Sequence, residues 1–470
     1  MDGLECSEIK YSKIIDKENA TRRFDAEYFQ KKYLKCLSLL KNKSAVELSS
    51  KFKVNGGKRL PLNADFSTSG YKYARAEDVK GMFLNTDTSP YISPALHEVL
   101  KNYTTKKEDV LLTIVGNSIG DVAINKQSEV INLTENCVRV YSTNEKTSLL
   151  FCFLKSKYGQ LQIEREKVGT AQPKLAIERI RRFLIFNGFS NNMIETIDTL
   201  IKTSWNKKLH SKQAYQAAES VLRDCLKISK TCNKSSSVKL LSYSFGKTGR
   251  LDAEYYHPKY DALFSILSKH KTMPLGGSRG LVSIMKSIEP GSEAYLEQGV
   301  PFIRVSDVDK YEISTPPIML SKEIYPNIED LYPKKDTILL SKDGSIGIAY
   351  KLEKDMEAVT SGALLHLTVK DSNVVLPDYL TLVLNSPVIQ LQAERDCNGA
   401  IIQHWKPSDI EKVLIPILDM SVQREIASKV QESFRLREES KHLLDLAVKT
   451  VEMAIESDEE SALLWLESQK

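Results

Sequence analysis

A chain of 470 residues is too long for one hydrophobic core and fits two domains or more. Its 41% hydrophobic and 27% charged residues are ordinary for a soluble globular protein. The longest wholly apolar run, Leu149 to Leu154, is much too short to cross a bilayer, and Met1-Asp2-Gly3-Leu4-Glu5 has no basic and apolar leader, so a cytoplasmic location is expected. The net charge of +5 conceals an asymmetry, because residues 1–235 hold 39 Lys/Arg against 26 Asp/Glu and the remainder holds 27 against 35. A basic half suits phosphate contacts without proving them. Seven cysteines, an odd number with no C-x-x-C pair, read as reduced core thiols.

In chain order, a β-like stretch from Ile9 to Ile15 precedes Arg23-Phe24-Asp25-Ala26-Glu27-Tyr28-Phe29, and Arg250-Leu251-Asp252-Ala253-Glu254-Tyr255-Tyr256 repeats it 227 residues later. Each is followed by a helix-like apolar series. Tyr73-Ala74-Arg75-Ala76-Glu77-Asp78-Val79 matches Phe302-Ile303-Arg304-Val305-Ser306-Asp307-Val308 at 229, with the alternation of a strand. Asp109-Val110-Leu111-Leu112 leads to Ser118-Ile119-Gly120, as Asp336-Thr337-Ile338-Leu339-Leu340 leads to Ser345-Ile346-Gly347, with Gly116 and Gly344 near the same turn. Both halves read strand, glycine turn, strand. Gln160-Leu161-Gln162-Ile163-Glu164-Arg165 matches Gln390-Leu391-Gln392-Ala393-Glu394-Arg395, Gly169 matches Gly399, and Ile180–Ile185 matches Ile410–Ile415. Chance does not hold such a register over some two hundred residues.

Each copy runs into a long amphipathic segment. Asn191 to Ile228 sets Ile194, Ile197, Ile201, Trp205 and Leu209 at helical spacing, then Tyr215, Ala218, Leu222 and Cys225. Ser421 to Glu456 sets Ile426, Val430 and Phe434, then Leu444, Ala447, Val451 and Ala454. Two such helices suggest a coiled-coil spacer, with Lys208 to Gln213 facing Arg437 to Lys441 at its polar middle. The acidic tail after Ile455 reads as a short terminal helix lying against the coil.

Motifs for chemistry are missing. No histidine pair or Cys/His cluster has zinc spacing, and Gly246-Lys247-Thr248 imitates the end of a P-loop but has Leu241 where the first glycine is required. The repeated aspartates Asp25/Asp252 and Asp78/Asp307 fit capping and turn hydrogen bonds better than acid–base work. The chain reads as a binding protein.

In their order and duplication, these motifs resemble the specificity subunit of type I restriction-modification systems. They are Arg250 to Tyr256, Pro301 to Val308, the Ser345-Ile346-Gly347 turn, and Ile410–Ile415 before Gln423-Arg424-Glu425-Ile426. The resemblance implies an α+β fold of two duplicated target recognition domains separated by two long helices forming an antiparallel coiled coil. It implies a non-catalytic subunit that reads a bipartite, asymmetric target in double-stranded DNA. Partner subunits, two for modification and two for restriction, would bring S-adenosylmethionine, ATP and magnesium. The expected domains are 1–189 and 238–419, with long helices at 190–230 and 420–456, a linker at 231–237 and an acidic tail at 457–470.

Candidate DNA contacts are residue types able to meet phosphates or base edges. They are Lys58 and Arg59 after Gly56-Gly57, with a counterpart around Lys286; the strand-borne Arg75 and Arg304; the turn residues Asn117, Lys342 and Asp343; and Gln172, Lys174, Gln403, His404 and Lys406 after the repeated glycine. Two other readings stay open at this point. One is the specificity subunit of a bipartite-site type II enzyme with a fused methylase-nuclease partner, and the other is a scaffold that reads no DNA.

Overall fold

The computed structural model describes residues 7–15, 23–169, 172–228, 236–296, 298–314, 316, 318–323, 325, 327–397 and 403–469. The chain forms two compact units, Met1–Lys208 with Glu438–Lys470, and Leu209–Arg437. Gly399, the junction around residues 229–235 and Cys6 and Cys232 lie outside the described residues.

Among the described residues the first unit holds ten short strands: β1 Val46–Glu47, β2 Lys53–Gly56, β3 Tyr71–Ala74, β4 Tyr91–Ile92, β5 Thr104–Thr105, β6 Val110–Thr113, β7 Val122–Ile124, β8 Ile131–Leu133, β9 Cys137–Tyr141 and β10 Leu184–Ile185. One sheet is antiparallel in the order β2-β9-β6-β7, and a second, β4-β3-β8-β5, contains a parallel β3–β8 pair. A two-stranded ribbon, β1-β10, closes the unit. All four side chains of β6 are buried, as expected of a strand covered on both faces.

The second unit repeats the plan with β11 Thr272–Pro274, β12 Val282–Lys286, β13 Tyr295–Leu296, β14 Val300–Ile303, β15 Met319–Leu320, β16 Ile338–Ser341, β17 Ala349–Lys351, β18 Val359–Thr360, β19 Leu364–Val369 and β20 Leu414–Pro416. Its sheets are β12-β19-β16-β17, β13-β15-β14-β18 and β11-β20. The parallel β14–β18 pair answers β3–β8. The fourth strand of the second sheet differs, since β5 adds beside β8 in the first unit and β13 adds beside β15 in the second.

The repeated motifs are structural ties. Asp25 and Asp252 accept the backbone N–H of Tyr28 and Tyr255 and pair with Arg23 and Arg250. Asp78 and Asp307 accept the N–H of Arg75 and Arg304. Gln160 and Gln390 donate to the carbonyls of Gly120 and Gly347, whose positive φ angles make the glycine turn. Gln162 and Gln392 each exchange two hydrogen bonds with the last strand, at Leu184 and Leu414. Five cysteines among the described residues are free thiols, of which Cys36, Cys137 and Cys152 are buried.

The long helices run Asn191–Leu226 and Met420–Glu456. Within the first unit Ser204 contacts Ser440 through hydroxyl–hydroxyl and hydroxyl–carbonyl hydrogen bonds of 2.7–2.9 Å, and Lys207 pairs with Glu439. A later residue of one helix thus meets an earlier residue of the other, which is antiparallel pairing. Met193, Ile197 and Ile201 there share a core with Ala447, Val451 and Ile455. Within the second unit Ser211 meets Ser433 at 3.1 Å, and Tyr215, Ala218 and Leu222 share a core with Ile426, Val430 and Phe434. The terminal helix Glu459–Ser468, capped by Asp458, buries Ala462 and Leu466 in the first unit's core.

Three expectations need correction. Ile9–Ile15 is not a strand: Tyr11–Ile15 is a short helix, in which the backbone groups bond locally, and among the described residues no strand pairs with it. Leu209 is exposed rather than part of the helical seam, which runs through Ser204 and Ser211 instead. The polar middle is also displaced, since Lys207 sits beside Glu439 and Ser211 beside Ser433; the expected match of Lys208–Gln213 with Arg437–Lys441 is out by about one helical turn.

Grouping by unit removes the charge asymmetry. Residues 438–470 carry 3 Lys/Arg against 9 Asp/Glu and fold with the basic first copy, leaving the units at +4 and +1.

Candidate nucleic-acid interface

Each unit gathers its expected site residues at one end of its sheets, in two adjoining places. The first lies where β2, β3 and β8 end. Gly57 presses against the turn after β8, with its N–H bonded to the Cys137 carbonyl and a Cβ at its position only 2.0 Å from the Thr134 carbonyl oxygen. That close approach brings Lys58 and Arg59 beside Glu135 and Asn136. The result is an open cleft of about 380 Å³ lined by Arg59, Leu60, Tyr73, Arg75, Ala76, Glu77, Thr134, Glu135 and Asn136.

Within the cleft the Arg59 guanidinium lies 3.4 Å from Glu135, whose other oxygen accepts the Thr134 hydroxyl at 2.8 Å. Arg75 pairs with Glu77, while its buried Nε makes no hydrogen bond among the described residues. Buried Tyr73 donates its hydroxyl to the Lys58 carbonyl at 2.8 Å, fixing the basic loop, and the Lys58 ammonium stands over the Tyr103 ring. Arg75 and Arg304 are not strand-borne as expected. Each follows its strand and opens a 3-10 turn, because the aspartate three residues on captures its N–H.

The ladder registers fix the equivalent positions in the second unit. Asn55 and Met285 occupy the same rung, so Gly57 corresponds to Ser287, Lys58 to Ile288 and Arg59 to Glu289. Ala74 with Leu133 matches Ile303 with Thr360, so Thr134, Glu135 and Asn136 correspond to Ser361, Gly362 and Ala363. Lys286 therefore stands level with Gly56, two or three residues short of the Lys58-Arg59 position for which the sequence offered it. It pairs with Glu289 at 2.9 Å. Arg304 repeats Arg75 in having a buried Nε that makes no hydrogen bond among the described residues, although here it lies 3.6 Å from the Asp307 carboxylate.

The second place is the turn after β6 or β16 against the loop that follows the helix bearing the glutamines. In the first unit Val115 bridges Lys174 and the N–H of Gly116 donates to the Pro173 carbonyl, which brings exposed Asn117 close to exposed Gln172 and Lys174. In the second, Asp343 bridges His404 and the N–H of Gly344 donates to the Gln403 carbonyl. Lys342 pairs with Asp343, and His404 Nδ1 lies 2.8 Å from the same carboxylate. Burial pushes the Asp343 carboxyl up, but its hydrogen bonds with Lys342 and His404 outweigh that and hold it below the usual carboxylate range. Trp405, fully buried, anchors the loop by donating its backbone N–H to the Lys342 carbonyl, and exposed Lys406 stands at the N-cap of the helix Pro407–Ile410. The two places adjoin, because Ile114 bonds to the Asn136 carbonyl and Lys342 to that of Ala363.

Sequence reasoning did not single out Glu77, Glu135, Asn136 or Glu289 for the site. Glu135 and Asn136 sit in a turn that belongs to no repeated motif, and only the rungs on either side show what they face. Among the described residues no group of three or more His, Cys, Asp or Glu side chains is placed to hold a metal ion, and no helix is long and apolar enough to cross a membrane.

A family model for the type I restriction modification DNA specificity domain matches residues 41–185 and 283–444, one match on each copy. The chain belongs to this type I specificity family. A curated member, the Type I restriction enzyme EcoBI specificity subunit of Escherichia coli, is 23% identical over 148 residues. That stretch is 31% of this chain and only 31% of the relative's length. Among solved structures, the type I restriction-modification S subunit from M. genitalium is 14% identical, with coverage of 86% of this chain and 94% of that one and a TM-score of 0.38. The HsdS subunit from Thermoanaerobacter tengcongensis is 15% identical, with 88% and 96% covered and a TM-score of 0.28. As a specificity-family chain it has a mixed α and β fold with two specificity domains and a long helix between them.

Proposed function

We propose that this chain is the DNA-recognition subunit of a type I restriction-modification complex. It reads a bipartite, asymmetric target, with one half-site for each copy over 1–189 and 238–419. One observation carries the reading: a shared scaffold, repeated in its antiparallel four-stranded sheet and its parallel strand pair, presents different polar groups at equivalent surface positions. Two readers built alike but lined differently suit two unlike half-sites. A scaffold that merely held proteins apart would not need the difference.

Lys58, Arg59, Arg75, Asn117, Gln172 and Lys174 would meet the first half-site. Lys286, Arg304, Lys342, Asp343, Gln403, His404 and Lys406 would meet the second. Their arginine, lysine and amide groups suit phosphates and guanine or adenine edges. The partners in this reading are two modification and two restriction subunits, which bring S-adenosylmethionine, ATP and magnesium, and the chain itself performs no chemistry. The antiparallel helices set the unread gap between half-sites.

Methylation mapping tests this. With the modification subunit present, replacing residues 22–185 by the matching part of a relative should change one half-site and leave the other. Simultaneous change of both half-sites, or sequence-independent modification, would refute independent readers.

A further inference from the structure

The cleft of the first unit is electrically unlike a phosphate site. Its two arginines face two glutamates, Arg59 against Glu135 and Arg75 against Glu77, so its formal charges cancel. A phosphate brought there would meet two carboxylates as well as two cations. A base-pair edge is different, because it offers acceptors and donors side by side and no net charge. Guanine presents O6 and N7 to a guanidinium fork, and its partner cytosine presents an N4 amino group to a carboxylate.

Comparison of the copies sorts the lining into frame and variable part. Tyr73 and Arg75 have Phe302 and Arg304 as counterparts, and the aspartate that captures the arginine N–H is the same in both. Four lining positions differ in kind: Arg59, Glu77, Glu135 and Asn136 stand where the second unit has Glu289, Ser306, Gly362 and Ala363, and of these Glu77 is taken up by its ion pair with the frame residue Arg75. The Asn136 side chain makes no hydrogen bond among the described residues, although its backbone carbonyl is held by Ile114. It is a fixed amide with a free head. Among the described residues Arg59 is held by one exposed ion pair, so releasing it costs little.

We infer that Arg59, Glu135 and Asn136 are the base-reading set of the first unit, and that they read one G·C pair of its half-site. This deepens the proposed function and rests on it. Arg59 takes the guanine O6 and N7, Glu135 accepts from the cytosine N4, and Asn136 adds a contact to the same or the neighbouring base. The frame residues Arg75 and Arg304 position both cleft walls and carry no base preference that differs between copies.

The test is selection from a random duplex library by the full chain in complex with its modification subunit. Wild type is compared with Arg59→Ala, with Glu135→Gln, and with a triple variant, Arg59→Glu/Glu135→Gly/Asn136→Ala, that installs the second unit's residues. All three positions are at the surface, and the single substitutions keep the fold testable should the triple variant fail. The expected result is a loss of about tenfold or more in preference at one G·C position of one half-site, with every other position of both half-sites unchanged. Replacing that guanine by 7-deazaguanine should weaken wild-type binding and leave Arg59→Ala unaffected. Unchanged preference in the variants overturns the inference. So does uniform weakening at all sequences with a shallower salt dependence, which marks a phosphate contact, or a change confined to an A·T position. If wild type itself enriches no sequence, the proposed function fails and takes this inference with it.

Discussion

The two units share a scaffold and differ in where they keep their charge. In the first, the cleft is polar, with Arg59, Glu135 and Asn136, while the adjoining turn begins with apolar Ile114 and Val115. In the second, the cleft positions include small Gly362 and Ala363, and the turn carries Lys342, Asp343 and His404 in mutual contact. The backbone bonds that join cleft to turn are the same in both. The contrast teaches that ladder, glycine turn and glutamine ties define a frame, and that chemistry can move from one side of that frame to the other without disturbing it. A second exchange lies deeper. On the rung of β6 and β9 the first unit pairs Arg139 with Asp109, and the second places buried His366 against Thr360 on the equivalent strand.

The largest test of the shared frame is at the loop anchor, where Leu175 and Trp405 hold equivalent places, each donating its N–H to the residue after the central strand. Trp405→Ala should cost about 3–5 kcal/mol and Leu175→Ala about 2–4, since the bigger side chain leaves the bigger cavity. Urea unfolding of both variants checks this. Equal losses would mean that the second unit repacks around its loop and that the frames are less alike than their registers.

Acid should separate the units next. Burial lowers the His366 imidazole to about 4, so the folded second unit holds it neutral while the unfolded chain protonates it near pH 6.5. The corresponding stability is complete above about pH 6.5 and drains away as pH falls toward 4, by about 2–3 kcal/mol at pH 4.5. With Trp205 and Trp465 replaced by Phe, Trp405 fluorescence reports on the second unit. Its unfolding midpoint should fall between pH 7 and 4.5, and His366→Gln should remove that part of the fall. An undiminished pH dependence in His366→Gln would break the contrast.

At the cleft floor, Gly57→Ala should destabilise the first unit by about 1–3 kcal/mol, because the new methyl meets backbone rather than a yielding side chain. Ser287 holds the same place in the second unit with its hydroxyl buried and without a hydrogen bond among the described residues, so Ser287→Ala should be neutral or slightly stabilising. Smallest of all, Arg59→Ala should change stability by less than about 0.5 kcal/mol, since its ion pair is exposed. Thermal unfolding of these three variants would show whether the cleft floor is structural and its rim free.

Much of the frame was legible in sequence because it is made of local ties that recur as motifs: Arg23-Asp25, Asp78, Gln160-Leu161-Gln162 and the glycine turn each solve a hydrogen-bonding problem within reach of their neighbours. The long helices were legible from apolar spacing. The site was less so. Offsets drift from 227 to 230 between motifs, and a slip of two or three residues was enough to set Lys286 against Arg59 when Glu289 occupies that rung. Arg75 and Arg304 fell inside an alternating pattern that continues past the real end of each strand, which the capping aspartates cut short. Glu135 faces Arg59 across a gap of 76 residues in sequence, and no periodicity could have joined them.

The serines of the helical seam carry one more consequence. Under the offset of 229, Ser204 is the copy of Ser433 and Ser211 is the copy of Ser440. The contact of Ser204 with Ser440 in one unit is therefore the contact of Ser211 with Ser433 in the other, with the roles of the two helices exchanged. Position i of the repeat meets j in one unit, and j meets i in the other. Each unit thus closes its own stretch of helical seam with the same two serine positions of the repeat, so a substitution made at one position of the repeat has an exact counterpart in the other unit.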